Sequence, residues 1–242
     1  MYSFQSRVRY SECDDTGRLS VVAMVNYLQD ASTFQSEELD RGFASLRDKG
    51  VAWILANWRI EVDRLPRLGE RIEVSTWCYE MTRSHALRRF AITDEAGREV
   101  VSADSQWFVL DTTSGHVTRV PDDQRTYLSA EPRGDMGPLG RRIRPEGPGT
   151  PTSPARVRAH NLDTNHHMNN AQYVLLAHDA MEELGVSGGL GSITVLYRRM
   201  ALLGDVVTPV VHEGAHGCDV DLTDADGDTY ALVRFELRRE EA

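Results

Sequence analysis

From Arg156 to Gly185 the chain reads RVRAHNLDTNHHMNNAQYVLLAHDAMEELG: a short segment able to extend, a dense polar stretch, and then an apolar pattern of helical period. Val174, Ala177, Met181 and Leu184 fall at the three-and-four spacing of one helical face, and Gly185 stands where a helix commonly ends on glycine. The same sequence of features opens the chain. Arg7-Val8-Arg9 answers Arg156-Val157-Arg158, Asp14 answers Asp163, and Asp30-Ala31 answers Asp179-Ala180, all at one constant displacement. In that first copy Val21, Met24, Val25, Leu28 and Ala31 form the helical face, and Gly42 is the expected stop. Further on, Leu68-Gly69-Glu70 matches Leu203-Gly204-Asp205, and Thr93-Asp94-Glu95-Ala96-Gly97 matches Thr223-Asp224-Ala225-Asp226-Gly227. These later matches are closer in sequence, as expected if the second copy has shorter connections. Order conserved over such a length means two copies of one structural unit.

After each helix the period changes to two. Trp58, Ile60 and Val62 alternate with Arg59, Glu61 and Asp63, and Ala231, Val233, Phe235 and Leu237 alternate with Leu232, Arg234, Glu236 and Arg238. This is the pattern of half-buried strands. Turn signals at Leu68-Gly69, Ala96-Gly97, Gly204-Asp205 and Asp226-Gly227 are close enough together for hairpins, so the sheets are predicted to be antiparallel. One long apolar helix per antiparallel sheet predicts an α+β fold, each sheet curled around its helix. The predicted boundaries are an N-terminal unit over 1–120, a linker over 121–155 and a C-terminal unit over 156–242. The linker holds Pro132, Pro138, Pro145, Pro148, Pro151 and Pro154, which argue against regular structure there.

A net charge of -10 disfavours nonspecific binding to nucleic acid or to an anionic membrane surface. Two basic clusters stand against that sign, Arg141 with Arg142 and Arg144, and Arg198 with Arg199. The N-terminus shows no secretory pattern and no apolar run is long enough to span a bilayer, so a cytoplasmic location is expected, without nucleic-acid or membrane partners. Cys13, Cys78 and Cys218 are odd in number and scattered, which predicts reduced thiols and no metal knuckle.

The polar stretch carries the candidate chemistry. Asp163, Asn165 and His167 alternate, and in an extended segment they would share one face just before a helix start. Backbone N–H groups and the positive end of the helix dipole can stabilise an oxyanion there, while an imidazole accepts a proton from water and a carboxylate and amide orient it. The equivalent residues of the first copy are Asp14, Thr16 and Arg18, so only the acid is common to both. An Asx-rich capping turn is the competing structural explanation.

Asp163-x-Asn165-x-His167-x-Asn169-Asn170-x-x-Tyr173, with Tyr197-Arg198-Arg199 in the following strand, resembles the acyl-acyl carrier protein (ACP) thioesterases of plants and bacteria. Arg9-Tyr10-Ser11-Glu12 and Asn26-Tyr27-Leu28-Gln29-Asp30 extend the resemblance over nearly the whole chain outside the linker. It implies a tandem double hotdog, with the acyl-chain pocket largely in the first hotdog and catalysis in the second. It also implies hydrolysis of fatty acyl-ACP to free fatty acid and holo-ACP in fatty acid biosynthesis, with no cofactor and no metal. By position, Asp163, Asn165 and His167 match the family's catalytic acid, amide and imidazole. Asn169, Asn170, Tyr173, Arg198 and Arg199 are the candidate substrate-binding residues beside them. Trp53 and Trp58, and with them Trp77, are the bulky candidates for limiting pocket depth. Acyl carrier protein is the implied partner; the oligomeric state stays open, a homodimer included.

One departure stands out. Where the family commonly places a catalytic glutamate after Tyr-Arg-Arg, in plant enzymes followed by cysteine, this chain has Met200 and Ala201. Neither can serve as base or nucleophile. Two other readings of the site therefore stay open: an acyl-thioester-binding protein without hydrolysis, and a hotdog enoyl-thioester hydratase. His212-Glu213-Gly214-Ala215-His216 matches HExxH in letters, but the flanking Pro209 and Gly217 and the alternating run before it predict a hairpin instead of a zinc-binding helix. Asp224 to Asp228 reads as an acidic turn, too sparse for a calcium loop.

Overall fold

The computed structural model describes residues 1–140, 142–215 and 217–238. The chain divides into two compact units, Met1–Leu139 and Gly140–Ala242. The first holds β1 (Tyr2–Arg7), α1 (Val21–Glu38), α2 (Phe43–Asp48), β2 (Val51–Val62), β3 (Arg71–Met81), β4 (His85–Asp94), β5 (Glu99–Asp111) and β6 (Val117–Thr118). Its strands pair antiparallel in the order β1-β3-β4-β5-β2, with β6 added to β5. The second holds β7 (Thr150–Pro151), β8 (Ala155–Arg156), α3 (Asn170–Glu183), β9 (Gly189–Tyr197), β10 (Val206–Gly214), β11 (Gly217–Thr223) and β12 (Thr229–Arg238). Here the order is β9-β12-β11-β10, again antiparallel, with β7 and β8 both on β10. No helix among the described residues is long and apolar enough to cross a membrane.

The helical periods are read out as burial. Val21, Met24, Val25, Leu28 and Ala31 are buried along α1, whose first turn is capped by Ser20 Oγ accepting the Ala23 N–H. Val174, Ala177 and Met181 are buried along α3. α1 lies against β1, β3 and β4, and α3 against β10, β11 and β12. Trp58, Ile60 and Val62 are buried as their alternation predicts, and so are Ala231, Val233 and Phe235; a bulge after Glu236 ends that register.

Gly42 does not stop the first helix. α1 ends at Glu38, Asp40 takes a left-handed backbone, and Gly42 opens the short α2. The Glu37 carboxylate folds back to accept the Phe43 N–H at 2.9 Å, and a Cβ at Gly42 would collide with that carboxylate. The glycine makes room for an acidic cap at the N-terminus of α2.

The repeat extends to individual hydrogen bonds. In the first unit Asp94 Oδ1 accepts from the N–H of Ala96 and Arg98, and in the second Asp224 Oδ1 accepts from those of Asp226 and Asp228. Arg64 pairs with Asp94 at 2.9 Å as Arg199 pairs with Asp224. Glu70 accepts the Arg67 N–H as Asp205 accepts the Leu202 N–H, both at 2.9 Å. The acidic turn expected at Asp224 is thus a carboxylate closing its own hairpin.

The proline-rich stretch is more ordered than its composition suggested. Asp122–Tyr127 forms a 3-10 helix whose Gln124 and Tyr127 are buried in the first unit, and Gln124 Oε1 accepts from Trp53 Nε1 at 2.9 Å. Residues up to Leu139 then run across the sheet face turned away from α1. There Trp77 Nε1 donates to the Pro132 carbonyl, Arg133 Nε donates to the fully buried Asp104, and the Gly137 N–H donates to Glu61. Beyond Gly140, Ile143 is buried and Thr150–Pro151 pairs with β10. This order comes from hydrogen bonds to residues far away in sequence, which leave no local period to read.

His212, Glu213 and Gly214 lie on β10 and not on a helix, which removes the zinc-protease geometry; His216 lies outside the described residues, as does Arg141 of the basic cluster. Cys13, Cys78 and Cys218 are free thiols.

Candidate active site

The polar stretch folds into a tight loop, not an extended segment. Leu162 and Met168 bridge antiparallel across it, the Asp163 N–H donates to the His167 carbonyl at 2.8 Å, and the His166 N–H donates back to the Asp163 carbonyl at 3.1 Å. The Asp163 carboxylate closes the loop from inside: Oδ1 accepts the N–H of Asn165 at 2.8 Å and of His167 at 3.2 Å. An aspartate that reaches its own backbone favours such a turn over an extended run. The one-face alignment expected from alternation therefore does not hold. What the turn brings to the Asp163 carboxylate is the backbone N–H groups of Asn165 and His167.

The first unit builds the same loop. The Asp14 N–H donates to the Arg18 carbonyl, and Asp14 Oδ1 accepts from the N–H groups of Thr16 and Arg18. Gly17 there has φ 76°, and its counterpart His166 has φ 62°. Glycine enters the left-handed region freely, whereas histidine does so only under constraint. Asp163 thus keeps a structural task common to both copies, and the residues that differ are Asn165 in place of Thr16 and His167 in place of Arg18. Asn165 is exposed and His167 half-buried.

Helix α3 begins directly after the loop. Asn169 is its N-cap: its side-chain oxygen accepts the Ala171 N–H at 2.9 Å and its carbonyl accepts the Gln172 N–H at 2.9 Å. Those N–H groups are consumed inside the helix and are not available to an oxyanion. What α3 offers His167 is the positive end of its dipole. Asn169 is consequently a capping residue, not a free substrate contact.

Tyr173 is also reassigned. It is buried, sits edge-on to Tyr197 with centroids 5.6 Å apart, and its hydroxyl oxygen accepts the Ala201 N–H at 2.8 Å. Burial pushes its pKa up to about 12. The Tyr197 hydroxyl donates to the Asn170 carbonyl at 3.0 Å, and the Met168 N–H donates to the Ala201 carbonyl at 2.9 Å. These bonds bind the segment after β9 against the end of the 163–167 loop and the start of α3. Met200, 37 % exposed, directly precedes Ala201 in this braced segment.

Arg198 and Arg199 part company. The guanidinium of Arg199 pairs with Asp224 and lies 4.3 Å from the Tyr230 ring centroid, and the pairing holds the Asp224 carboxyl below its ordinary range. Since Arg64 and Asp94 repeat the pair in the first unit, Arg199 is structural. Arg198 is exposed. Asp205, which sequence reading left aside, accepts from the Tyr230 hydroxyl at 3.0 Å and from the Leu202 N–H; its match to Glu70 was the available signal.

In the first unit the register puts Trp53 and Trp58 on the sheet face turned to α1, with Val109 and Ser105 as cross-strand partners. Trp58 is fully buried against Phe90, and Trp53 is half-buried. Trp77 is buried on the opposite face, beside Arg89 and under Pro132, and so does not face α1. Among the described residues the donor atoms of His178, Asp179 and Glu182 approach within 4.8 Å of one another. They sit along α3, away from the loop, where His178 packs edge-on to Phe235 and pairs with Glu182.

The family model for the acyl-ACP thioesterase N-terminal domain matches residues 1–128, and that for the C-terminal domain matches 150–239. An oleoyl-acyl carrier protein thioesterase of Coriandrum sativum is 26 % identical over 261 residues, covering 94 % of this chain and 70 % of that protein. Oleoyl-acyl carrier protein thioesterase 1 of Arabidopsis thaliana is 26 % identical over 219 residues, covering 83 % of this chain, which spans only 60 % of that relative's length. The crystal structure of an acyl-ACP thioesterase from Bacteroides thetaiotaomicron superposes with a TM-score of 0.86 at 21 % identity, over 97 % of this chain and 96 % of that one. The likeness, with an antiparallel sheet on a long helix in each unit, makes the fold a hotdog-type α+β fold. On two domain models that together take in nearly all of its length, this chain belongs to the acyl-ACP thioesterase family.

Proposed function

We propose that the protein hydrolyses fatty acyl-ACP thioesters to free fatty acid and holo-ACP, as a tandem double hotdog whose first unit houses the acyl chain and whose second carries the chemistry. Water attacks the thioester carbonyl directly, with His167 as general base. Asn165 orients the water or the carbonyl, and Asp163 fixes the loop that carries both. The observation that carries this proposal is the 163–167 loop. It keeps the aspartate-closed turn of the first copy but exchanges threonine and arginine for an amide and an imidazole, at the positive end of α3. The loop offers no serine or cysteine as nucleophile, and a thioester is electrophilic enough for attack by activated water. Release of free thiol from acyl-ACP, followed by colorimetric titration, tests the reaction; binding of acyl-ACP without thiol release would favour a non-catalytic carrier of acyl thioesters.

Met200 marks a weakened variant of the family site. The bond from the Met168 N–H to the Ala201 carbonyl holds the backbone next to residue 200 against the end of the loop. Met200→Glu is expected to raise kcat, by about 10-fold or more if the new carboxylate shares in proton transfer. An unchanged rate in a variant of normal Tm would show that no vacancy exists at 200.

For carrier docking, exposed Arg198 is the remaining member of its pair, and Arg142 and Arg144 form the alternative patch. Rim charges act mainly on association rate and its salt dependence. Arg198→Glu is expected to raise KM for acyl-ACP by several-fold while leaving acyl-coenzyme A nearly unaffected. Equal effects on both carriers would move the docking site elsewhere.

A further inference from the structure

The layer between helix and sheet differs in chemistry between the two units. At equivalent places between helix and sheet, Arg88 on β4 stands where β11 has Cys218, Ser105 where β12 has Phe235, Thr76 where β10 has Val211, and Gln35 on α1 where the second copy has Leu184. The second unit packs this layer as an apolar core. The first puts a cation in it. Arg88 is only 7 % exposed, and Nη1 donates to Gln35 Oε1 at 2.6 Å and to Thr76 Oγ1 at 3.1 Å. The guanidinium also lies 5.2 Å from the Tyr127 ring centroid.

Among the described residues no carboxylate pairs with Arg88. Its nearest titratable neighbours are the Cys78 thiol and the Tyr127 phenol, and burial raises the pKa of both, so neither supplies a negative charge at neutral pH. Burying an unpaired charge is costly, and neutral acceptors compensate it only in part. Both described hydrogen bonds of the guanidinium leave Nη1 and end on neutral oxygens. Around it lies an apolar cluster that includes Cys78, Met81, Val109 and Tyr127, with Trp53 and Trp107 only partly buried at its margin. Such a surrounding suits a hydrocarbon chain, and the cation within it suits an oxygen.

We propose that Arg88 makes the interior of the first unit a receptor for acyl chains that carry an acceptor oxygen at their distal end, an ω-carboxylate foremost. The proposal rests on the reading above that this unit houses the acyl chain. A methyl terminus brought against Arg88 would desolvate the guanidinium further and return nothing. A carboxylate would give it a charge-assisted pair in a low-dielectric setting. A site built to bond an oxygen discriminates strongly against an analogue that lacks it.

The test measures wild-type kcat/KM on ACP thioesters of matched length bearing a methyl, hydroxyl or carboxylate terminus, together with calorimetric binding of the corresponding pantetheine thioesters. At the optimal length the ω-carboxyacyl substrate is expected to exceed its methyl-terminated counterpart by about 10- to 100-fold in both readouts. Arg88→Met should invert the order, with Arg88→Lys retaining part of it. If wild-type protein prefers the methyl terminus at every length, the proposal is overturned, and Arg88 is then a wall that limits depth. That comparison needs no variant to fold. A carboxylate preference in binding without thiol release would leave the proposal standing and overturn hydrolysis. Thiol release with a methyl preference would do the reverse.

Discussion

Replacing His167 by alanine is expected to lower turnover of acyl-ACP by about 10² to 10⁴, the usual contribution of a general base. The backbone N–H of residue 167 still reaches Asp163 Oδ1 in the variant, so the loop keeps the bond that closes it and Tm should move little. The loss should appear in kcat far more than in KM, because proton transfer is made in the transition state and not in substrate binding. Thiol release under saturating substrate measures the first effect and thermal unfolding the second. Wild-type turnover in His167→Ala would end the proposed mechanism, in which this imidazole takes the proton from water.

The second large effect is expected at Asp163, and it separates positioning from proton chemistry. Asp163→Ala removes the acceptor for two backbone N–H groups of the loop, each such hydrogen bond being worth about 0.5–1.5 kcal/mol of stability. A loop loosened by an ångström is sufficient to lose about 10² in rate. Asp14→Ala removes the corresponding acceptor in the first unit, so it should cost similar stability but spare activity. Asp163→Asn retains an oxygen that can accept the same N–H groups and should recover most of the rate if the residue positions the loop. Were Asp163→Asn as inactive as Asp163→Ala, the negative charge itself would be required. Were Asp14→Ala equally inactive, loss of activity would report damage to the fold and not to the site.

The pairing of Asp163 with Asp14 shows where sequence reading reached its limit. Both residues and their common displacement could be read directly, as could the buried helix faces, the strand alternation and the hairpin turns. The orientation of Asn165 and His167 could not, because alternation fixes a face only in an extended segment. The aspartate carboxylate turns the segment into a loop by taking its N–H groups. Tyr173 and Arg199 fit the family's motif at their positions, yet the fold occupies them: one braces Ala201, the other pairs with Asp224 as Arg64 does with Asp94.

What depends on local period and on order along the chain was legible before folding: two α+β units, the helix and strand faces, and the polar stretch before α3. Tertiary structure alone decided what depends on partners distant in sequence. It laid residues 130–139 along the outer face of the first sheet through Trp77, Asp104 and Glu61. It turned Trp77 away from the interior that Trp53 and Trp58 face, and it brought Arg88 against Gln35 and Tyr127. The physical reason is the same in each case. A hydrophobic period is written in neighbouring residues, whereas a single side-chain hydrogen bond or ion pair leaves no trace until the chain has folded and both partners are in place.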